Sequence, residues 1–446
     1  MKNRLLLGFY GDDFTGSTDA MESLTINGFR TILFLETPKV ETLQQFEDVQ
    51  CVGIAGTSRA KTPEAMYEEL QPVYKQLAEI NPYYVHYKTC STFDSSSEVG
   101  SIGYAADLAK EYFKDQLYYM LIAAPRLGRY TVFGQHFAKM NEEVYRLDHH
   151  PVMAKHPVTP MDEADLSLHL GKQTKQKIEG VNVLELEKGE LYVSQLLNKF
   201  QNDNQEIIVF DALKESHTET FAKSIEITRN ENPQFLIGSS GIGYALASQW
   251  YQKRLNKTST EKKNVTKTDK VLVVSGSLSE ITSDQMKHAI ENGFHAEPIP
   301  FEYFGTRDIP HEFLEKIKIL LETKKKVIIY TAAGSKDGLV EKTRKHLEGI
   351  GVSKKDMGSV IGRDLGKWTK KLVEDSQLQR VIISGGDTSG FVTKELDIYA
   401  LELLTSISPG APLCKAYSKN GLFDGIEIAL KSGQLGGTNF YERVMS

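Results

Sequence analysis

The chain has 446 residues, of which 40% are hydrophobic and 25% are charged, and its formal net charge at pH 7 is −6. This length exceeds one ordinary domain core and predicts two domains, while the composition excludes a disordered chain. The acidic balance offers no broad basic surface, so we expect no nucleic-acid partner.

The sparse cysteines, Cys51, Cys90 and Cys414, argue against a disulfide framework and favour a reducing compartment. The apolar run at residues 5–10 is too short for a signal-peptide core, and no stretch approaches the ~20 residues that cross a bilayer. We therefore expect a cytoplasmic protein without membrane contact.

One pattern recurs along the chain: a β-rich apolar run, then Gly, Ser or Asp, then a helical pattern. The runs lie at residues 5–10, 31–37, 52–58, 83–92, 118–125 and 234–243, and again at 271–279, 326–335 and 380–390. Strands that alternate with helices predict an α/β fold with a mainly parallel sheet flanked by helices.

Residues 255–270 are rich in Lys, Thr and Asn and contain almost no apolar side chain. This composition predicts a polar linker between an N-terminal domain, residues 1–254, and a C-terminal domain, residues 271–446. In such sheets ligands bind beyond the carboxyl ends of the strands, so the polar residues after each run should converge.

Asp12 and Asp13 follow the first apolar run. One carboxylate at this edge can accept a proton from a substrate hydroxyl, and the second can orient it or hold a cation. The alternative is that one of them only caps the next helix. We favour a functional role, because two acids are more than a cap needs.

The segment 87–103 follows another run and is crowded with polar side chains, namely Ser91, Thr92, Asp94, Ser95 and Ser96. Such a loop suits a polyhydroxylated ligand, and an ordinary capped loop explains it equally well.

Arg126 and Arg129 follow the run at 118–125. Guanidinium groups match carboxylates, which suggests an acidic substrate, although surface arginines are common. Three histidines, His149, His150 and His156, lie in the proline-rich stretch 148–161 without the spacing of metal ligands, so we favour a substrate-facing or structural loop.

In the second half, Gly385, Gly386 and Gly390 leave backbone N–H groups accessible to phosphate oxygens at a predicted helix N-terminus. The stretches 271–290 and 430–440 supply two further Gly- and Ser-rich turns. Neither a Walker loop nor a dinucleotide G-x-G-x-x-G is present, since "GSSGIG" at 238–243 has the wrong spacing. Three such turns in one domain predict a phosphate-bearing ligand.

Six motifs occur in order: "GDDFTGSTD" at 11–19, "CSTFDSS" at 90–96, "HPVTPM" at 156–161, "SGSLS" at 275–279, "GGDTSG" at 385–390 and "LKSG" at 430–433. Together they resemble the four-carbon acid sugar kinase family over nearly the whole chain. The resemblance implies an N-terminal domain that holds a sugar acid and a C-terminal domain that binds ATP. Departures are Gly11, where many members have Ala, and "SGQLGGTNF", where many read closer to "SGNFG".

The resemblance implies that Asp12 and Asp13 lie near the transferred phosphoryl group. Residues expected to bind the sugar acid are Thr15, Lys88, Ser91, Thr92, Asp94, Arg126, Arg129 and His156. Residues expected to bind ATP are Ser275, Ser277, Gly385, Gly386, Asp387, Thr388 and Gly433. We assign no residue as a direct metal ligand.

The expected reaction is phosphorylation of a sugar-acid hydroxyl by ATP with Mg²⁺, in a cleft between the domains. The acceptor stays open among threonate, erythronate, 3-oxo-tetronate and branched keto acids such as 3-oxo-isoapionate. A homodimer also stays open. Two alternatives are an NAD(P)-dependent dehydrogenase, against which the missing fingerprint counts, and a non-catalytic sensor of sugar acid or nucleotide.

Overall fold

A computed structural model describes residues 4–114, 116–253, 255, 265, 267–306 and 310–446. The chain divides into two compact units, Met1–Thr260 and Glu261–Ser446. Most of the predicted linker, residues 255–270, lies outside the described residues, so the domain boundaries stay a prediction. Within the described ranges, no helix combines the length and the apolar character that crossing a membrane requires.

The strands of the first unit are β1 (Leu7–Gly11), β2 (Thr31–Phe34), β3 (Cys51–Ala55), β4 (Tyr84–Lys88), β5 (Tyr118–Leu121), β6 (Arg129–Val132), β7 (Gln135–Met140), β8 (Glu143–Arg146), β9 (Ile178–Val181), β10 (Ile207–Phe210) and β11 (Gln234–Gly238). Its helices are α1 (Phe14–Thr25), α2 (Val40–Leu43), α3 (Pro63–Ile80), α4 (Ile102–Ala109), α5 (Leu166–Gly171), α6 (Val183–Leu186), α7 (Glu190–Asn202), α8 (Glu215–Thr228) and α9 (Ser240–Gln252).

A parallel sheet in the order β2-β3-β1-β4-β11-β5-β10-β9 forms the centre of this unit. The chain leaves β1 toward β2 and β3 on one side and continues at β4 on the other side. The connections after β1 and β4 therefore run in opposite directions and open a crevice at the carboxyl ends of these strands. Strands β6, β7 and β8 form a separate antiparallel sheet.

The second unit contains β12 (Val271–Ser275), β13 (His295–Pro298), β14 (Lys326–Tyr330), β15 (Arg380–Ser384), β16 (Ile398–Ser408), β17 (Ala411–Ser418) and β18 (Glu427–Lys431). Its helices are α10 (Glu280–Glu291), α11 (His311–Thr323), α12 (Gly338–Gly349), α13 (Met357–Ser376), α14 (Gly386–Glu395) and α15 (Phe440–Met445).

Its strands follow the order β13-β14-β12-β15-β18-β17-β16. Pairing is parallel from β13 to β18 and antiparallel through β17 and β16. The direction of the connections reverses between β12 and β15, which creates a second crevice at the carboxyl ends of these strands. The predicted α/β class, with mainly parallel pairing and flanking helices, is confirmed, and the antiparallel segment β16–β18 is an addition to it.

Candidate active site

The carboxyl end of β1 places two acidic side chains in different surroundings. Asp12 directly follows β1 and is 2% exposed, and its backbone N–H donates to the Lys88 carbonyl at the end of β4. Asp13 is half-buried and caps α1, because its Oδ1 accepts a hydrogen bond from the Gly16 N–H at 2.8 Å. Capping of the next helix is therefore one role of Asp13, but it is not a role of Asp12.

Arg59 joins the two carboxylates. Its Nε and Nη2 donate to the two oxygens of Asp12 at 3.1 and 2.6 Å, and its Nη1 and Nη2 donate to Asp13 at 2.9 Å each. Burial raises the pKa of Asp12, and the adjacent guanidinium opposes that shift. Although burial disfavours a charged guanidinium, the Asp12 carboxylate holds the pKa of Arg59 well above its usual range. Two adjacent acids thus share one cation in this crevice.

Sequence reasoning missed Arg59. It directly follows the run at residues 52–58, which contains most of β3 and the small polar residues after it. Strand β3 pairs with β1. The signal was therefore present: Arg59 is the first charged residue after a strand that ends at the same sheet edge.

Lys88 ends β4, the strand on the other side of β1. Its side chain is 3% exposed, and its Nζ donates to the Thr89 carbonyl at 3.0 Å. A Cβ built on Gly16 would lie 2.5 Å from Asp13 Oδ1 and 3.0 Å from Lys88 Nζ. The structure therefore brings Lys88, Asp13 and the first turn of α1, which contains Thr15, to one place.

The predicted hydroxyl-rich loop follows β4 and is internally bonded. Cys90 Sγ lies 2.9 Å from Thr92 Oγ1, which donates to Asp94 Oδ1 at 2.7 Å. Burial, with Asp94 nearby, raises the pKa of the Cys90 thiol to about 11, so it stays protonated at neutral pH. The Ser91 carbonyl accepts from His136 Nε2 at 2.8 Å, which ties this loop to β7.

The two predicted arginines differ in their surroundings. Arg126 is exposed, and its guanidinium is paired with Glu215 at 2.8 Å. Arg129 is half-buried, and its Nη1 donates to backbone carbonyls, whereas its Nε is buried without a hydrogen-bond partner among the described residues. Burial lowers the pKa of Arg129. An anion could therefore recruit Arg129 without breaking an existing ion pair.

His156 makes a local hydrogen bond and none to the aspartate pair: its Nδ1 accepts from the N–H of Thr159 at 3.0 Å. In the described part of the chain, no hydrogen bond or ion pair connects Arg126, Arg129 or His156 to the aspartate pair. Nor do any three His, Cys, Asp or Glu side chains of the described residues form a group that could hold a metal ion.

In the second unit, three loops meet at the carboxyl ends of β12, β15 and β18. Thr282 Oγ1, in the first turn of α10, lies 3.1 Å from Ser277 Oγ and donates to the Gly433 carbonyl at 3.1 Å. Ser279, which caps α10, also donates to that carbonyl. A Cβ on Gly385 would lie 2.9 Å from Thr388 Oγ1 and 3.4 Å from the Ser277 backbone nitrogen.

Gly385 has φ of +131°, and no side chain caps the helix α14 that begins after it. Gly386 and Asp387, in the first turn, are exposed, whereas Thr388 is buried. Uncapped N–H groups at a helix N-terminus favour an anion. The geometry therefore brings together the loops of the predicted ATP residues, with Ser275 buried beneath them at the end of β12.

Lys431, the last residue of β18, is a second residue that sequence reasoning missed. It is 1% exposed, and its Nζ donates to Ser384 Oγ at 3.1 Å and to Thr282 Oγ1 at 3.2 Å. Burial lowers its pKa to about 8. The motif "LKSG" was the available signal, but only its glycine was taken as a site residue.

Comparison with known proteins matches both halves of the chain. Residues 7–246 match the sugar-binding N-terminal domain family, and residues 272–441 match the nucleotide-binding C-terminal domain family. The chain is 38% identical to a 3-oxo-isoapionate kinase of Paraburkholderia graminis, over 99% of this chain and 94% of that protein. It is 26% identical to a 3-oxo-tetronate kinase of Pectobacterium atrosepticum, over 98% of each.

Two solved structures share the fold. One, described as a putative tRNA synthase from Salmonella typhimurium, matches with a TM-score of 0.80 at 23% identity and 98% coverage of both chains. The other, a Haemophilus influenzae protein, matches with a TM-score of 0.76 at 24% identity and the same coverage.

Proposed function

Because the chain belongs to the four-carbon acid sugar kinase family and is a sugar-acid kinase that uses ATP, we propose that its acceptor is a branched 3-oxo sugar acid of the 3-oxo-isoapionate type. The observation that carries this choice is the 38% identity, over 99% of the chain, to a kinase named for that acid. The 3-oxo-tetronate kinases, at 26% identity, support 3-oxo-tetronate as the second candidate.

Lys88 is the cation that we assign to the acidic end of the acceptor. It is buried beside Asp13 and forms no ion pair with a carboxylate within 4 Å among the described residues. Asp12 and Asp13 supply negative charge nearby, but neither contacts the ammonium at ion-pair distance, so the carboxylate of a ligand can bind it directly. Arg129, with its unpartnered Nε, is the second candidate, whereas Arg126 would first have to leave Glu215.

Asp13 is the residue that we assign as the proton acceptor. Its side chain is 30% exposed, against 3% for Asp12, so a substrate hydroxyl can reach only Asp13 without a rearrangement. Asp12 holds the guanidinium of Arg59 from the buried side, and Arg59 in turn orients Asp13. Phosphoryl transfer depends mainly on such positioning and on charge neutralisation.

The uncapped N-terminus of α14 and the loops around Ser277 and Gly433 are assigned to the phosphates of ATP. Mg²⁺, which commonly enters a kinase site with the nucleotide, would neutralise phosphate charge there. The exposed carboxylate of Asp387 in the first turn of α14 is a suitable oxygen ligand for it. A single carboxylate fits an ion that is held mainly by phosphates and water.

Measurement of ADP release over a panel of four- and five-carbon acids and their 3-oxo forms tests the proposal. We expect the highest kcat/KM for the branched 3-oxo acid, and a higher value for 3-oxo-tetronate would support the second candidate. No ADP with any acid, despite ATP binding, would favour the sensor. Thermal stabilisation by NAD(P) but not by ATP would favour the dehydrogenase.

The assignment of the base has a separate test. Asp13→Asn should lower kcat by about 10²–10⁴-fold, the usual contribution of a general base, with little change in the affinity for ATP. Asp12→Asn should act mainly by loosening Arg59, so we expect a smaller fall in kcat. The reverse order of the two variants would reassign the base to Asp12.

A further inference from the structure

Lys431 is a buried cation with no anionic partner. Its Nζ contacts two hydroxyl oxygens, on Ser384 and Thr282, and its ammonium lies 5.9 Å from the centre of the Phe440 ring. Among the residues that the structure describes, no carboxylate forms an ion pair with it. A lysine is rarely buried without a counter-charge, because removal of an ammonium from water costs free energy that two neutral hydroxyls repay only in part.

The hydroxyl contacts have a direction. An ammonium can only donate, so the oxygens of Thr282 and Ser384 act as acceptors, and the single hydroxyl hydrogen of Thr282 is shared between the Gly433 carbonyl and Ser277 Oγ, each 3.1 Å from Thr282 Oγ1. Thr282 Oγ1 lies 3.1 Å from Ser277 Oγ, and Ser277 is half-buried while Thr282 is buried. A row of donors therefore runs from the buried ammonium through Thr282 to Ser277, whose own hydroxyl donates to Ser279 Oγ at 3.3 Å at the mouth of the three loops.

A purely structural role explains this arrangement poorly. An apolar side chain of similar length would fill the same volume beside Phe440 without the cost of burying a charge. The ammonium instead lies beneath the loops to which the uncapped N-terminus of α14 belongs. That helix end and the row of donors both favour a negative group at the same place.

We propose that Lys431 is a positioning residue for the phosphate chain of the nucleotide, acting through Thr282 and Ser277. The ammonium polarises the two hydroxyls, directs the Ser277 hydroxyl toward a phosphate oxygen and adds one positive charge beneath the three loops. This inference rests on the proposed function, since it requires that ATP binds in this unit. It assigns the lysine to the phosphates and not to the base or the ribose.

The test compares the affinities of Lys431→Met for ATP and for adenosine by calorimetry. We expect the affinity for ATP to fall about 10–100-fold and the affinity for adenosine to change less than about twofold, because only ATP carries phosphates. The melting temperature without nucleotide should stay the same or rise, since an uncompensated buried charge has been removed. Lys415→Met, a half-buried lysine on β17, is the matched control and should leave both affinities unchanged.

Thr282→Val keeps the ammonium but interrupts the row of donors, and it carries the test if Lys431→Met does not fold. We expect it to lower the affinity for ATP selectively, and the double variant to bind ATP no more weakly than Lys431→Met alone. Unchanged ATP affinity in Thr282→Val, or equal losses for ATP and adenosine, would overturn the inference. Failure of the wild-type chain to bind ATP is a different result, and it would overturn the proposed function itself.

Discussion

At the level of single residues, Arg59 and Arg126 make the same contact in different surroundings. Each places a guanidinium on carboxylate oxygens, but Arg59 binds the buried Asp12 and the half-buried Asp13 whereas Arg126 binds Glu215, with both partners 42% exposed. Exposed ion pairs contribute little because water screens them, whereas removal of one partner from a buried pair leaves a charge without compensation. Burial, and not the number of hydrogen bonds, should therefore decide what each arginine contributes.

Arg59→Met should lower the free energy of unfolding by about 3–5 kcal/mol and abolish turnover, because Asp12 and Asp13 would then face each other without the guanidinium that bridges them. Arg59→Lys should recover only part of the stability and part of the turnover, since an ammonium cannot bridge four carboxylate oxygens. Urea denaturation and ADP release measure the two effects. Arg126→Met is the control, with a loss of at most about 1 kcal/mol, and equal losses for the two arginines would contradict the argument.

A second prediction concerns His136, the histidine that ties the hydroxyl-rich loop after β4 to β7. Burial lowers the pKa of His136 to about 4. Since its Nε2 faces the Ser91 carbonyl and its Nδ1 faces Thr131 Oγ1 at 2.9 Å, the neutral ring with the proton on Nε2 satisfies both contacts. The unfolded chain therefore binds a proton near pH 6.5 that the folded chain does not bind until about pH 4.

Stability from His136 should be fully present above pH 6.5 and should be lost as the pH falls toward 4, by about 3 kcal/mol at 1.36 kcal/mol per pKa unit. In urea denaturation at several pH values, the free energy of unfolding of His136→Gln should fall less between pH 6.5 and pH 4 than that of the wild type. The same slope in His136→Gln and the wild type would refute the assignment.

At the level of elements, the local sequence predicts most strands of the parallel sheets, although β10, which is buried at all four positions, lies in no predicted run. Strands β12, β14 and β15 lie within predicted apolar runs, because a parallel strand covered by helices has little room for polar side chains. The antiparallel β16 and β17 were not predicted. A charged residue, Glu402 in β16 and Lys415 in β17, interrupts the apolar residues of each strand, so no continuous apolar run marks them.

The site residues follow the same logic. Asp12 and Gly385 could be predicted because each directly follows a buried strand. Arg59 needs the knowledge that β3 lies beside β1, and Lys431 needs the knowledge that its strand end is buried, and both depend on strand order. The sequence alone therefore identifies site residues that directly follow a strand. It does not identify site residues whose role depends on strands that are adjacent in the sheet but distant in the sequence.

The turn before α14 gives a prediction at this scale. Gly385→Ala should destabilise the second unit by about 1–3 kcal/mol and weaken ATP binding, because φ of +131° strains an L-residue and its Cβ would approach Thr388 Oγ1 at 2.9 Å. Melting temperature and ATP titration measure the two effects. Gly358→Ala, in the first turn of α13 with open space around its Cβ, should be neutral or slightly stabilising. Equal effects of the two substitutions would contradict this explanation.

For the whole molecule, the two tryptophans provide a separate reporter in each unit. Trp250 is 2% exposed at the end of α9 and contacts Phe29, and Trp368 is 3% exposed in α13 and contacts Phe304. Because the chain contains only these two tryptophans, Trp250→Phe and Trp368→Phe leave fluorescence from one unit at a time. The assignment of the sugar acid to the first unit and of ATP to the second can then be tested in the intact chain.

A ligand stabilises what it binds by RT ln(1 + [L]/Kd), which is about 2.7 kcal/mol at 100 times Kd. In thermal scans of the single-tryptophan variants, ATP should therefore raise the midpoint temperature reported by Trp368 more than that reported by Trp250. The sugar acid should have the opposite preference. The ligand-free scan of each variant is its own baseline, and adenosine plus phosphate controls for ionic strength. If ATP raised only the transition reported by Trp250, the nucleotide would belong to the first unit, and the roles given to Gly385 and Lys431 would fail together.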